Sequence, residues 1–225
     1  MTPNSPATRQ MALRWISALF ARELTADDVE SYRSGDGETL LDTLQSELDC
    51  GEAVEPIRSR LNDSQPASDT ALDLAGDFAW LFHGVGGPRS APPHEHDWSE
   101  ASDGTQMECI DQCLSLMGKC GLGPSPESGE TVDHVGTQLE LLGYLEEQAV
   151  ADPNGPWNEY RDTLIREHLD KWLPLFLDAC ENNDRNGFYA AVAELAGRLL
   201  DGALSKASVR RLAANIGQQP TEEES

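Results

Sequence analysis

Basic residues are scarce in this chain of 225 residues. Only 16 lysines and arginines stand against 40 aspartates and glutamates, so the formal net charge is −24 at pH 7. So acidic a surface repels nucleic acid and anionic membranes, and neither is an expected partner. The charge favours a basic partner, although acidity by itself also serves solubility.

Long apolar runs and disulfide spacings are missing as well. No run reaches the ~18–20 apolar residues that cross a bilayer. The first residues, MTPNSP, have no basic stretch followed by an apolar one, as an export signal would. The five cysteines, an odd number without a framework spacing, indicate free thiols in a reducing compartment. We therefore expect a cytoplasmic protein.

Strand signals are also lacking, because no two alternating segments are joined by a hairpin turn. Almost every apolar stretch repeats with the helical period instead, as Phe78, Leu81 and Phe82 do, and Val54 to Leu61 has the pattern of a short helix. A chain of this length can bury a core without disulfides or metals. The prediction is an all-α fold, a helical bundle of about ten helices.

Local signals place several helix ends. Thr25 followed by Asp28 is a capping box. Asp133 is a suitable N-cap for the longest helix, and Pro174 is expected to end or kink its own helix. The segment 83–104 is rich in glycine and proline and is expected to be irregular.

The densest group of metal-ligand residue types is the sequence His94-Glu95-His96-Asp97. Two imidazoles separated by one residue lie on the same side of an extended loop, and a carboxylate could complete a site. A metal-dependent hydrolase using His94, His96, Asp133 and His134 is therefore the alternative function. Against it, no third histidine or cysteine lies nearby at a known ligand spacing, and a polar loop explains the same residues.

Other chemical groups favour packing over catalysis. Cys109 and Cys113 lie four residues apart and share a helical face, as a ligand or redox pair would, but packing in the core is the favoured interpretation. Asp133 and His134 are adjacent and point in different directions on a helix, so they make a poor catalytic dyad. We predict that the protein is not an enzyme and holds no cofactor.

Three ordered groups of residues resemble the TorD/DmsD family of redox-enzyme maturation chaperones, and the likeness covers about residues 70–204. The groups are FAWLFHGVG (78–86) with APPHE (91–95), ETVDH (130–134), and HLDKWLPLF (168–176) with Phe188-Tyr189. The chain departs from the family pattern at two places. His96 stands where the family usually has serine, and Thr131 where it usually has proline.

The resemblance implies two helical subdomains, residues 1–130 and 131–215, joined near Asp133 and followed by an acidic tail, 216–225. It implies binding to the twin-arginine signal peptide and apo form of a molybdoenzyme, such as trimethylamine N-oxide or dimethyl sulfoxide reductase. Family members prevent premature export and assist insertion of the molybdenum cofactor. The resemblance allows a monomer or a domain-swapped dimer.

A twin-arginine signal places two arginines beside an apolar segment of ~7–15 residues, so its receptor needs an apolar groove with acidic groups at one end. Trp80 lies off the apolar stripe of its helix and is the aromatic residue that we expect to face the bound molybdoenzyme precursor, the client of the chaperone. The predicted signal-peptide-binding residues are Trp80, Leu81, Phe82, Pro92, Pro93, Glu95, Trp98, Glu130, Asp133 and His134.

Overall fold

The computed structural model describes residues 5–98, 105–124, 131–201 and 204, and in these ranges the chain is helical throughout, without named strands. This confirms the all-α prediction. The helices are α1 (Pro6–Ala21), α2 (Ala26–Ser34), α3 (Asp36–Glu47), α4 (Val54–Leu61), α5 (Ala67–Phe82), α6 (Thr105–Lys119), α7 (Val135–Ala151), α8 (Trp157–Leu164), α9 (Asp170–Asn183) and α10 (Phe188–Leu200).

The interior is one continuous apolar cluster to which every helix contributes buried side chains. Within the residues described, none of the helices combines the length and the apolar character that crossing a membrane would demand. Helices from both predicted subdomains share the cluster, so residues before and after position 131 pack in a common core. The subdomain boundary itself stays a prediction, and the tail 216–225 lies outside the described residues.

Helix α1 lies along α7 in the most extensive helix pairing of the fold. The two backbones approach closely at Gly136, where a β-carbon would meet the carbonyl oxygen of Ser17 at 3.1 Å. The Ser17 hydroxyl donates a buried hydrogen bond of 2.8 Å to the Gly136 carbonyl. A glycine at this crossing therefore lets α7 begin directly against α1.

Aromatic rings fill the centre of the core. Phe82, at the end of α5, contacts Phe20 edge-on at a centroid distance of 5.8 Å and stacks on Phe176 at 5.9 Å. Tyr189 meets the edge of Phe82 at 5.1 Å. Such pairs add about 0.5–1.5 kcal/mol each beyond their area burial. They join α1, α5, α9 and α10, so the end of α5 is held on several sides.

The helix-end predictions had mixed outcomes. The capping box is confirmed, since the Thr25 hydroxyl accepts from the Asp28 N–H and the Asp28 carboxylate accepts from the Thr25 N–H. Of the end or kink predicted at Pro174, the end near Trp172 is wrong, because α9 runs through Pro174 to Asn183; the kink stays a prediction. Proline cannot donate a helical hydrogen bond and needs room for its ring. The chain is wound into a wider π-helical turn, Ile165–Leu169, directly before α9.

The buried hydroxyl of Tyr189 leads to a prediction about the free energy of unfolding. The residue is fully buried, and its oxygen has no hydrogen-bond partner within the structure. Burial of the ring raises the pKa of this hydroxyl. Because an unpartnered buried polar group costs about 1–3 kcal/mol, Tyr189→Phe should leave the free energy of unfolding unchanged or raise it.

Tyr32→Phe is the matched control for urea denaturation of both variants. The Tyr32 hydroxyl accepts a 2.8 Å hydrogen bond from the Trp15 indole N–H, so its removal should cost about 0.5–1.5 kcal/mol. A loss of that size in Tyr189→Phe would show that the Tyr189 hydroxyl is hydrogen-bonded in solution.

Candidate functional site

The described part of the proline-containing segment, residues 83–98, is here called the Pro-rich loop. Its backbone is hydrogen-bonded to the backbone of the segment before α7. The Glu95 N–H donates to the Asp133 carbonyl at 3.1 Å, and the Val135 N–H donates to the Pro93 carbonyl at 2.8 Å. These two bonds form an isolated antiparallel bridge between His94 and His134. Two of the three motif groups found in the sequence therefore meet at one point.

His134 begins helix α7. Its Nδ1 accepts the Gly136 N–H at 3.0 Å, so His134 is the N-cap. The interpretation of Asp133 as the N-cap is therefore wrong. The His134 ring is buried and lies edge-on to the ring of His94 at 5.1 Å. Its acceptor nitrogen is used by the helix end, which leaves the side chain a structural role.

Asp133 is completely buried, and its carboxylate accepts hydrogen bonds from neighbouring side chains. The Thr131 hydroxyl donates to Oδ1 at 2.5 Å, and Nδ1 of His96 lies 2.6 Å from Oδ2. Burial alone would raise the pKa of Asp133, but the hydrogen bonds from Thr131 and His96 outweigh it and hold the pKa below its ordinary value. The carboxylate is therefore ionised near neutral pH.

Glu95 lies at the centre of a second buried group, which we call the Glu95 network: Glu95, Cys113, Gln138, His168 and Trp172. Oε2 of Glu95 is 2.8 Å from Nδ1 of His168 and accepts from the Gln138 amide at 2.6 Å. The Trp172 indole N–H donates to the Gln138 amide oxygen at 3.0 Å. His168 and Trp172 belong to the third motif group, so this network joins the first group to the third, and the backbone bond from Glu95 to Asp133 joins the second group to both.

Two of the three acidic residues that we predicted to contact the arginines of the signal peptide thus lie inside the protein. Glu95 is 4% exposed and Asp133 is 0% exposed, and each carboxylate already has donors from its own chain. In this conformation they hold the Pro-rich loop in place instead of facing solvent. The third predicted acid, Glu130, lies outside the described residues.

The predicted aromatic and proline residues divide into core and surface groups. Leu81 and Phe82 belong to the core, and Pro93, within the Pro-rich loop, is also buried. Trp80, Pro92 and Trp98 are partly exposed, as expected for Trp80. The Trp98 indole N–H donates to the Pro92 carbonyl at 2.8 Å, which fixes the ring against the loop.

Trp80 lies beneath two guanidinium groups of its own chain. The Arg89 and Arg185 guanidinium carbons are 5.1 and 4.7 Å from the ring centroid, within cation–π range. Arg185 also pairs with the buried carboxylate of Asp77 at 3.0 Å. A bound precursor that contacted the Trp80 ring would have to do so beside these two arginines.

Two surface grooves flank helix α6, and neither was predicted from the sequence. The acidic groove, between α6 and the α8–π-turn segment, has a volume of about 680 Å³; its lining includes Glu108, Asp111, Glu167, Lys119, Met107, Leu116 and His168. The apolar groove has a volume of about 280 Å³; its lining includes Met117, Leu122, Val132, Leu141, Tyr144 and Glu140. The i, i+3 spacing of Glu108 and Asp111 was the available signal for the first groove.

The alternative hydrolase site is not supported. Among the residues that the structure describes, the ligand atoms of His94, His96, Asp133 and His134 do not gather into one group that could hold a metal ion. His134 caps α7, and His96 bonds to Asp133. The two cysteines of α6 were expected in the core, and Cys109 and Cys113 are both buried.

Asp133 should contribute strongly to stability. We expect Asp133→Ala to lower the free energy of unfolding by about 1–3 kcal/mol, because it removes the acceptor of buried donors. The contribution should be present above the unfolded pKa of aspartate, about 3.9, and should be lost as the pH falls through the lower folded value. Urea denaturation at several pH values measures both effects.

Asp97→Ala is the matched control in the same loop. Its side chain is 38% exposed and lies about 4 Å from His94, so its removal should change stability by less than about 0.5 kcal/mol. Equal losses in the two variants would contradict the structural role assigned to Asp133.

Comparison with known proteins agrees with the motifs. The family described as nitrate reductase delta subunit matches residues 43–178, which is more than half of the chain. A protein named Chaperone protein TorD from Aliivibrio salmonicida is 30% identical over 182 residues, covering 79% of this chain and 84% of the relative. Proteins of the same name are 31% identical in Photobacterium profundum, covering 80% and 85%, and in Vibrio cholerae, covering 81% and 84%.

These relatives are named as chaperones, which is consistent with the prediction that this chain is not an enzyme. The matched region contains all of the first two motif groups and the His168–Phe176 part of the third. The chain therefore belongs to the nitrate reductase delta subunit family, within which it groups with the TorD chaperones of molybdoenzyme maturation.

Proposed function

We propose that this protein is a cytoplasmic chaperone that binds the twin-arginine signal peptide and the apo form of a molybdoenzyme precursor. It holds the precursor back from export and keeps it competent for insertion of the molybdenum cofactor. Family membership supports the general role. The observation that carries the signal-peptide proposal is the acidic groove beside α6, which shares His168 with the Glu95 network.

The acidic groove offers a better site for the two arginines than the buried carboxylates do. Glu108 and Asp111 are exposed and lie one helical turn apart on α6, and Glu167 faces them from the π-helical turn. An exposed ion pair contributes only about 0–1 kcal/mol, so these acids select and orient the peptide more than they tighten binding. The net charge of −24 attracts the basic end of the signal from a distance.

The apolar part of the signal supplies most of the affinity. Burying three apolar side chains contributes roughly 5–9 kcal/mol, at ~1.5–3 kcal/mol each. Ordering a flexible peptide takes back about 2–5 kcal/mol. The apolar groove on the other side of α6 has room for a few such side chains, and its walls are Met117, Leu141 and Tyr144. The favourable end of this balance, about 7 kcal/mol, together with about 0–2 kcal/mol from two ion pairs, corresponds to micromolar affinity, which suits a chaperone that must release the precursor.

The predicted signal-peptide residues keep different roles in this proposal. The partly exposed Trp80, Pro92 and Trp98 are candidates for direct contact with the precursor. Leu81, Phe82, Pro93, Glu95, Asp133 and His134 are buried and would act by holding the loop and α7 in place. Variants of the buried residues should therefore alter binding through the shape of the protein.

The charge contribution can be tested with the double variant Glu108→Gln, Asp111→Asn. Binding of a synthetic peptide with Arg-Arg before an apolar segment, measured by isothermal titration, should weaken about 2- to 30-fold, from ~0.4–2 kcal/mol for two charges. The weakening should shrink as salt is added, because salt screens exposed charges.

The matched control is Asp178→Asn, Glu181→Gln, which removes two acids at the same spacing from α9. These residues do not line the acidic groove. An equal loss in the control would show that only the overall charge matters. If the wild-type protein binds no molybdoenzyme signal peptide, the proposed function fails.

Trp98 provides a second test of the contact surface. Trp98→Ala should weaken peptide binding about tenfold while the helical circular dichroism spectrum stays unchanged, because the ring is partly exposed and packs on the loop. Tyr32→Ala is the control, since this partly exposed aromatic residue packs on Trp15 and lines neither groove. Similar losses in both variants would argue against a specific contact at Trp98.

A further inference from the structure

Three different metal-ligand side chains meet in the Glu95 network. Glu95 comes from the Pro-rich loop, Cys113 from α6 and His168 from the π-helical turn. One ligand atom from each lies within 4.8 Å of the other two. These three side chains are all less than 5% exposed, so the group lies at a fixed place in the interior.

We propose that Glu95, Cys113 and His168 form a binding site for one divalent metal ion of the zinc class. Carboxylate oxygen, thiolate sulfur and imidazole nitrogen are the ligand types that zinc uses in proteins. The proposal is independent of signal-peptide binding, since it concerns the interior side of the loop.

The spacing of the ligand atoms fits such an ion after a small adjustment. Bonds of 2.0–2.3 Å in a tetrahedral site place neighbouring ligand atoms about 3.3–3.8 Å apart. The Cys113 sulfur is 3.4 Å from Nδ1 of His168, which is already in this range. The Glu95 oxygen is 2.8 Å from the same nitrogen and would have to move outward by about 0.5 Å.

The surroundings support the ligands and include a neighbouring groove. The Gln138 amide donates to Glu95 and also approaches the Cys113 sulfur at 3.5 Å, while Trp172 holds the Gln138 amide oxygen. Outer partners of this kind orient the ligands of metal sites. His168 also lines the acidic groove, so one of the three ligands borders a solvent-filled groove whose carboxylates attract cations.

Proton release accompanies binding. The ion replaces the thiol proton of Cys113, which passes to solvent, while His168 binds as the neutral imidazole. Affinity for the ion should therefore increase as the pH rises.

The test uses the full-length chain without a histidine tag. Apoprotein incubated with excess zinc and then dialysed should retain about one equivalent by elemental analysis. Titration with Co²⁺ should give a thiolate-to-cobalt absorption band, and zinc should raise Tm, since a ligand that binds only the folded state stabilises it.

Cys113→Ser should abolish the cobalt thiolate band and weaken zinc binding at least tenfold, as should His168→Gln. Cys180→Ser is the matched control, because Cys180 is an equally buried free thiol outside the Glu95 network, and it should bind as the wild type does. Circular dichroism of each variant checks that it folds, and Glu95→Gln provides a further variant of the same shape.

Three results would overturn the proposal. Wild-type protein could retain less than about half an equivalent of zinc. Cys113→Ser could bind zinc as tightly as the wild type. A His94→Gln, His96→Gln double variant could lose the metal while Cys113→Ser keeps it, which would move the site to the loop histidines. None of these results bears on signal-peptide binding.

Discussion

The buried charge of Glu95 constrains the whole region in which the motif groups meet. A carboxylate taken out of water is costly unless donors surround it. Here the donors come from His168 and Gln138, on two separate helical segments. The Pro-rich loop, the start of α7 and the π-helical turn must therefore all be in place together. Such networks contribute less to stability than to selecting one arrangement, and we offer that as their role here.

A neighbouring carboxylate explains two departures from the family pattern. His96 and Thr131 stand where the resemblance leads one to expect serine and proline, and both side chains bond to Asp133. The two unusual residues thus serve the same acceptor from opposite sides of the bridge between the loop and α7. The backbone N–H of His96 also donates to Asp133 Oδ2 at 3.3 Å, so this position contacts the carboxylate through its main chain as well.

The sequence was sufficient for much of the fold. The helical period of the apolar residues predicted Val54–Leu61, and the spacing of Thr25 and Asp28 predicted the capping box, because both signals depend on neighbours only a turn away. Pro174 did not end its helix, and the π-helical turn before α9 was not predicted, because tertiary packing decides such a turn. Of the candidate site, the motif groups and the partly exposed Trp80 were predicted. The burial of Glu95 and Asp133 was not predicted, because it depends on hydrogen-bond partners that lie far away in the sequence, as His168 does for Glu95.

The pairing of α1 with the C-terminal half has a consequence for synthesis on the ribosome. Ser17 bonds to Gly136, and the Arg9 guanidinium donates to the carbonyl of Leu199, 190 residues further along the chain. Contacts of such long sequence separation form late and slow folding. Most of the apolar face of α1 is covered by α7, with a smaller contact to α10, and both helices lie far later in the chain. A nascent chain therefore exposes much of that face until those helices have been made.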